Sequence, residues 1–455
     1  VLNLVIELLT TPAITLGLVA LAGLLAQKKS LSDTVKGTIK TILGLLILTG
    51  GAGLISNYLT PFSEMFTKGF GLTGVVPFDE AVIGALTEKV AVIARTTSFI
   101  LAIGFLINVL LARFTPFKYI FLTGHMMWIM AGGLSWAFYD MGVSEWETIM
   151  YGSILQGMTL TMIPALAQPI MKKLTGSDEM AYGHLTTTGV VLSAWIGRAV
   201  GDAQKSSEDV KLPKGLDFFR DTAISISLVM LVIYFVTAVA AGPDFVQTLS
   251  DEQGWFTFTI IQAFGFAAGV LILLQGVRMF LGEIVPAFRG IALKLVPGAK
   301  PALDCPIVFP YAPTALMIGF LCCIVGMVAG MFVSNVLNTV IPLPSIIGGF
   351  FTGGVAGIFG NVLGGRRGAA FSGFIYGLVL TIPVALFYPV LGLEEYGVNG
   401  IAFLVPDGII VLSLVAMFVK AGIEILFFVP FVALLVYGFW HSRKKNEILT
   451  NTKSG

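Results

Sequence analysis

Ionisable side chains are scarce in this chain, and the few that interrupt apolar sequence are the ones able to do chemistry. His125 sits in TGHMMW and His184 in YGHLTTTG, where Thr186, Thr187 and Thr188 add hydroxyls and, at a helix start, free backbone N–H groups. Such an end favours an anion or a polyhydroxylated solute. His125 reads equally as a packing histidine or as a pathway residue, since ionisable groups inside apolar spans cost several kcal/mol and mark substrate or ion routes. Asp407, in VPDG, reads equally as a helix cap or as a binding residue. Arg278 and Glu283 in QGVRMFLGE read as a pair at a helix end or a partner-docking face ahead of substrate ligands. The glycines of LTGGAG, Gly51 among them, permit close helix packing or close approach of a sugar to backbone. No phosphate-binding glycine loop, zinc spacing or Ser/His/Asp arrangement occurs, and Cys305, Cys322 and Cys323 lack metal-ligand spacing. The expectation is no catalytic residue, no metal and no cofactor in this chain.

The elements that position these residues recur. Laid without a gap on Gly269–Asp304, the stretch Gly44–Asp79 matches at Gly44, Leu46 to Leu48, Gly51, Pro61 and Asp79. The same offset carries Gly183 onto Gly408, the glycines inside the two interrupted apolar segments. One shift that explains both pairs implies a duplicated unit, with a site where the copies meet. Asp304 gains weight from this, because it is the repeat mate of Asp79.

Hydrophobic residues make up 56% of 455 and charged residues only 12%, the balance of a polytopic membrane protein. A formal net charge of +1 gives no reason to expect nucleic acid. A bilayer core of about 30 Å needs about 20 apolar residues in a helix. Counted so, the crossings are Leu9–Ala26, Lys40–Tyr58, Val90–Arg113, Tyr119–Tyr139, Thr148–Met171, Thr222–Ala241, Trp255–Leu281, Ile307–Phe332, Pro344–Val362, Gly368–Val390 and Ile423–Trp440. Ala181–Val200 and Ala402–Val419 are too interrupted to cross and read as re-entrant hairpins. The first run has no basic flank or cleavage site and reads as a retained span. Lys and Arg concentrate at one set of loop ends, which puts the N-terminus outside and the C-terminus in the cytoplasm. The second and seventh crossings then run oppositely. The fold class is thus all-α, polytopic, with eleven transmembrane helices, two re-entrant hairpins and inverted repeats. One membrane domain covers 1–455: a first repeat over 1–215, a second with the last helix over 216–440, and a tail over 441–455.

At KGTIKTILGLLILTGGAG, FLTGHMMW, the GH of YGHLTTT, QGVRMF, LVPGAKPALDC and YAPTALMIGF, the chain resembles the membrane C component of the ascorbate-specific phosphotransferase system. The likeness runs over nearly the whole length. It implies a homodimer in a bacterial cell (inner) membrane, in contact with lipid, whose mobile core domain carries substrate. It also implies uptake of L-ascorbate, phosphorylated by a cytoplasmic B component that an A component recharges from phosphoenolpyruvate. By the same resemblance His125, His184, Asp304 and the turn at Gly51 contact substrate. Departures fall at Ile129 and at Leu185 with Thr186, where the family has glutamines, at Ala52, where it has serine, and at Asp79 with Glu80, where it has threonine and tyrosine. Lost amides and hydroxyls change which sugar hydroxyls are matched. The expected function is therefore a phosphotransferase-system permease for L-ascorbate or a related sugar acid, sugar or alditol. An ion-coupled secondary transporter using Asp79, Asp304 or Glu283 is the alternative, and a substrate-gated channel or receptor a third.

Overall fold

A computed structural model describes residues 12–71, 75–79, 82–83, 86, 90–210, 222–250, 252–396, 401–422 and 424–451; inside some helices, 281–294 included, only the backbone is described. In chain order the elements are α1 (Pro12–Ala26), α2 (Leu31–Phe70), β1 (Val76–Pro77), α3 (Ala91–Phe114), β2 (Tyr119–Phe121), α4 (Gly124–Asp140), α5 (Glu145–Thr175), β3 (Ala181–Tyr182) and α6 (Thr187–Val200). They continue with α7 (Thr222–Ala241), α8 (Pro243–Leu249), α9 (Trp255–Leu295), β4 (Lys300–Leu303), α10 (Pro313–Val336), α11 (Gly354–Leu391), β5 (Ile401–Ala402), α12 (Pro406–Lys420) and α13 (Val429–Asn451).

Among the described residues, five helical stretches are long and apolar enough to cross a membrane: Ala91–Phe114, Glu145–Thr175, Trp255–Ile272, Pro313–Val336 and Gly349–Val390. A bent pair, Ile226–Ala241 with Pro243–Leu249, makes a sixth if taken as one span. Helices outrun their apolar cores at several ends. The second crossing, read from Lys40 to Tyr58, lies within the 40-residue α2, and the seventh within the 41-residue α9. Intrahelical hydrogen bonds continue into charged sequence as readily as through apolar sequence, so a count against bilayer thickness cannot see these extensions. Pro344–Val362 and Gly368–Val390 meet in α11, whose backbone is non-helical at Gly364 and Gly365. Its arms double back there, bringing Gly360 against Gly368 and Ser372. Gly365 holds φ +60° and ψ −157°, open in practice only to glycine, and a Cβ there meets the carbonyl oxygens of Asp202 and Lys205.

Both interrupted segments contain a short strand followed by a short helix: β3 with the 14-residue α6, and β5 with the 15-residue α12. Backbone amides of such strands need partners wherever water is excluded. They find them in two small parallel sheets. In one, β4 lies between β2 and β3, with Phe121 and Ala181 both opposite Ala302. In the other, β1 pairs with β5, Val76 opposite Ile401. The free edge of β2 is satisfied by a side chain: Asn108 of α3 accepts from the Phe121 N–H at 3.0 Å and donates to the Tyr119 carbonyl at 3.0 Å and to Thr161 Oγ1 at 2.8 Å. Glycine makes the central pairing possible. A Cβ on Gly183 stands 2.7 Å from the carbonyl carbon and oxygen of Ala302, too close for any other residue to keep β3 on β4.

Candidate functional site

Three parallel strands end side by side, and each hands the chain to one ionisable residue. After β2 come Leu122, Thr123 and Gly124, then His125; after β3 come Gly183 and His184; after β4 comes Asp304 directly. Continued pairing fixes these exits: the Leu122 N–H donates to the Ala302 carbonyl at 2.9 Å and the Gly183 N–H to the Leu303 carbonyl at 2.8 Å. The Thr123 hydroxyl donates to the Gly183 carbonyl at 2.5 Å. Residues from three distant segments of the chain are thereby held to one side of a cavity. Chemistry at the carboxyl ends of parallel strands follows from that geometry, since every strand delivers its next side chain to the same edge.

His125 Nε2 lies 3.9 Å from one oxygen of Asp304, and His184 Nε2 lies 3.8 Å from the other. Both gaps exceed a hydrogen bond, which leaves the facing edges of these groups for a ligand hydroxyl or water lying beside them. The side chains keep 20%, 6% and 14% of their surface for His125, His184 and Asp304, enough to meet a ligand while excluding bulk water. The His184 ring is fixed from behind. Its Nδ1 lies 2.9 Å from the Thr186 hydroxyl, which lies 3.1 Å from the Tyr182 hydroxyl; that in turn contacts Cys305 Sγ at 3.2 Å. Asp304 Oδ1 also accepts from the Cys305 N–H at 2.6 Å, so the carboxylate is oriented by its own turn.

The opposite wall comes from the second sheet. Beyond β1 lie Phe78 and Asp79, and beyond β5 lie Leu404 and Val405. Asp79 Oδ1 accepts from the N–H groups of Leu404 at 2.8 Å and Val405 at 3.3 Å, which ties one exit to the other. A π-turn, Gly349–Gly353, and the residues before it close the remaining side with Ser345, Gly348, Phe351 and Thr352. The space so enclosed, its mouth included, is about 720 Å³. Its lining alternates apolar faces (Phe78, Met126, Ile347, Phe351) with imidazole, carboxylate and hydroxyl groups, the mixture a small polar ring compound requires.

Residues 7–407 match the family model described as the PTS system sugar-specific permease component, PTS denoting the phosphotransferase system. The chain belongs to that family. A curated relative, the ascorbate-specific PTS system EIIC component of Mycoplasma pneumoniae, is 28% identical over 432 residues. That match covers 83% of this chain and 65% of the relative, so the chain spans about two thirds of that protein's length. Membership and the long apolar helices together make it a multi-pass membrane protein.

Of the residues that sequence reasoning nominated, His125, His184, Thr186, Asp304 and Asp79 line this cavity. Ile129, at 1% exposure, and Leu185, at 0%, are buried in apolar packing and do not line it. Gly51 is buried within α2 and is not a lining residue; the Ala52 side chain and Glu80 lie outside the described residues, as do the side chains of Arg278 and Glu283. Asp407 caps no residue of its own helix and bonds instead to α6. Thr352, Phe351 and Ser345 were not anticipated. Phe351 and Thr352 lie in the π-turn, a distortion that marks functional positions more often than chance. Among the described residues His125, His184 and Asp304 also form a group able to hold a metal, their ligand atoms all within 4.8 Å of one another. Ligands about 2.0–2.2 Å from one ion stand about 3.3–3.6 Å apart in a tetrahedron. The two imidazole–carboxylate separations, 3.8 and 3.9 Å, are slightly wider than that.

Proposed function

We propose that this chain is the translocating component of a phosphotransferase-system permease, and that the cavity between its two small sheets binds L-ascorbate or a related sugar acid, sugar or alditol. The observation that carries this reading is the convergence of two imidazoles, one carboxylate and the Thr186 and Thr352 hydroxyls on one semi-enclosed space. Imidazole and hydroxyl groups both donate and accept, as vicinal sugar hydroxyls do, and a carboxylate takes the strongest bonds from them. The name of the Mycoplasma relative supports ascorbate as the first candidate. Phosphorylation of the bound sugar falls to a B component recharged by an A component, which makes the net transport step irreversible.

The same reading takes residues 1–215 and 216–440 as inverted repeats within eleven crossings, with 441–455 as a cytoplasmic tail. The likeness between the β1–Asp79 and β4–Asp304 exits supports it, each a carboxylate just beyond a short parallel strand. The segments β3–α6 and β5–α12 act as re-entrant hairpins around the cavity, and alternating exposure of that cavity moves substrate across a bacterial cell membrane. The protein works as a homodimer, N-terminus outside and C-terminus in the cytoplasm.

The decisive experiment is uptake of labelled L-ascorbate and a sugar and alditol panel into vesicles, with and without the B component and a phosphoryl donor. Accumulation of phosphorylated product that needs both supports the reading. Carboxylates at Asp79 and Asp304 lining one cavity favour one competing mechanism, ion-coupled secondary transport. In that case uptake ignores the phosphoryl donor, collapses with the sodium or proton gradient, and delivers unmodified substrate.

A further inference from the structure

Asp407 is 2% exposed and is the second residue of α12, whose N-cap is Val405, and its carboxylate makes its backbone hydrogen bonds to another helix. Both oxygens accept from the Thr188 N–H in the first turn of α6, at 3.1 and 3.2 Å. That amide is one of the first-turn donors a helix cannot satisfy internally, and an anion at this end also meets the positive pole of the helix. In return the Asp407 N–H donates to the Leu185 carbonyl at 2.9 Å. One residue of the second hairpin therefore grips the first hairpin on both sides of Thr186, and Leu185 is itself the link between His184 and Thr186. Asp407 does not line the cavity. Its own segment is steadied two and three residues earlier, where Leu404 and Val405 donate to Asp79.

We infer that Asp407 is a positioning residue: through Thr188 and Leu185 it sets the places of His184 and Thr186, and so controls ligand affinity from the neighbouring hairpin. This rests on the reading of the cavity as the sugar site. A residue serving stability alone lowers the melting temperature and leaves the ligand-binding ring where it was. A positioning residue moves the ring. With only three histidines in the chain, selective isotope labelling gives a spectrum assignable by single substitutions, and the His184 ring signal reports its surroundings with no ligand present.

The test uses purified full-length protein carrying Asp407→Ala, Asp407→Asn or His184→Ala, the His184 ring spectrum for the Asp407 variants, and equilibrium binding of L-ascorbate, D-gluconate and xylitol. Asp407→Ala strips the acceptor from the part-buried Thr188 amide, and we expect binding about 10- to 100-fold weaker with a displaced His184 ring signal. Asp407→Asn keeps the shape, one acceptor oxygen and the bond to Leu185; a loss of about threefold to tenfold with a smaller ring shift is expected. Should the alanine variant not fold, the asparagine variant carries the same readouts. Wild-type ring signals and affinities within twofold in a folded Asp407 variant, beside a His184→Ala variant that has lost binding, overturn the inference and leave the sugar site standing. Undiminished binding in His184→Ala overturns both. If none of the three probes binds, an unmoved ring signal still refutes the positioning role.

Discussion

Replacing Asp304 probes the cavity at the group that both imidazoles face. Asp304→Asn preserves size and can still accept from the Cys305 N–H, now 2.6 Å from Oδ1, so the turn after β4 keeps its cap. What changes is the charge, and one acceptor becomes a donor. A hydrogen bond to a charged group contributes about 1.5–3 kcal/mol against about 0.5–1.5 for a neutral pair. If one ligand hydroxyl donates to the carboxylate beside His184 and His125, Asn weakens binding by about 1–1.5 kcal/mol, roughly 5- to 15-fold. Asp304→Ala removes the bond and the cap together, and binding falls by about 1.5–3 kcal/mol, roughly 10- to 150-fold. The assay is equilibrium binding to purified protein in detergent, with unliganded melting temperatures recorded to separate folding from affinity. Both variants folded and within twofold of wild type would refute the placement of ligand against Asp304.

Two further outcomes follow from contacts around the site. Gly183→Ala sets a Cβ against the Ala302 carbonyl and drives β3 off β4; overpacking of this kind costs about 1–3 kcal/mol, so both melting temperature and substrate affinity should fall, and an unaltered protein would contradict the role given to the three-stranded sheet. Outside the spans, burial pushes the Asp178 carboxyl upward, but bonds from Lys300 at 2.6 Å and Gln168 at 2.7 Å, with the charge of Lys172, outweigh it and hold it below the ordinary carboxylate range. A depressed folded value contributes stability present above the unfolded carboxyl value, about 4, and lost as pH falls through the folded one. Melting temperature should therefore drop more steeply below about pH 4 in wild type than in Lys300→Met; parallel acid limbs would count against it.

Much of the site was legible because ionisable side chains are rare in apolar sequence. His125 and His184 stood out for that reason and Asp304 as the repeat mate of Asp79, and the structure brings all three to one cavity. The sheets that gather them were not legible. Strands of two to four residues, such as Val76–Pro77 and Lys300–Leu303, are too short to display a period of two, and parallel partners come from distant segments with no local turn signal. Asp79 was visible as the repeat mate of Asp304, whereas its bonds to Leu404 and Val405 needed the tertiary fold. Asp407 read as a cap of its own segment or a binding residue; it is instead the second residue of α12, and its carboxylate accepts from the first turn of α6. Ile129 and Leu185 were chosen by alignment with a motif; here they are buried among apolar neighbours, and the polar wall is completed by Thr352 and Ser345, which no spacing rule singles out.

The location of bound substrate tests the central claim most directly. An electron-density map of the purified protein saturated with L-ascorbate, or with whichever sugar or alditol binds best in the panel, should contain ligand density between the His125 and His184 rings, the Asp304 carboxylate and the π-turn at Thr352. Density elsewhere in the protein, with this cavity holding only water, would contradict the account.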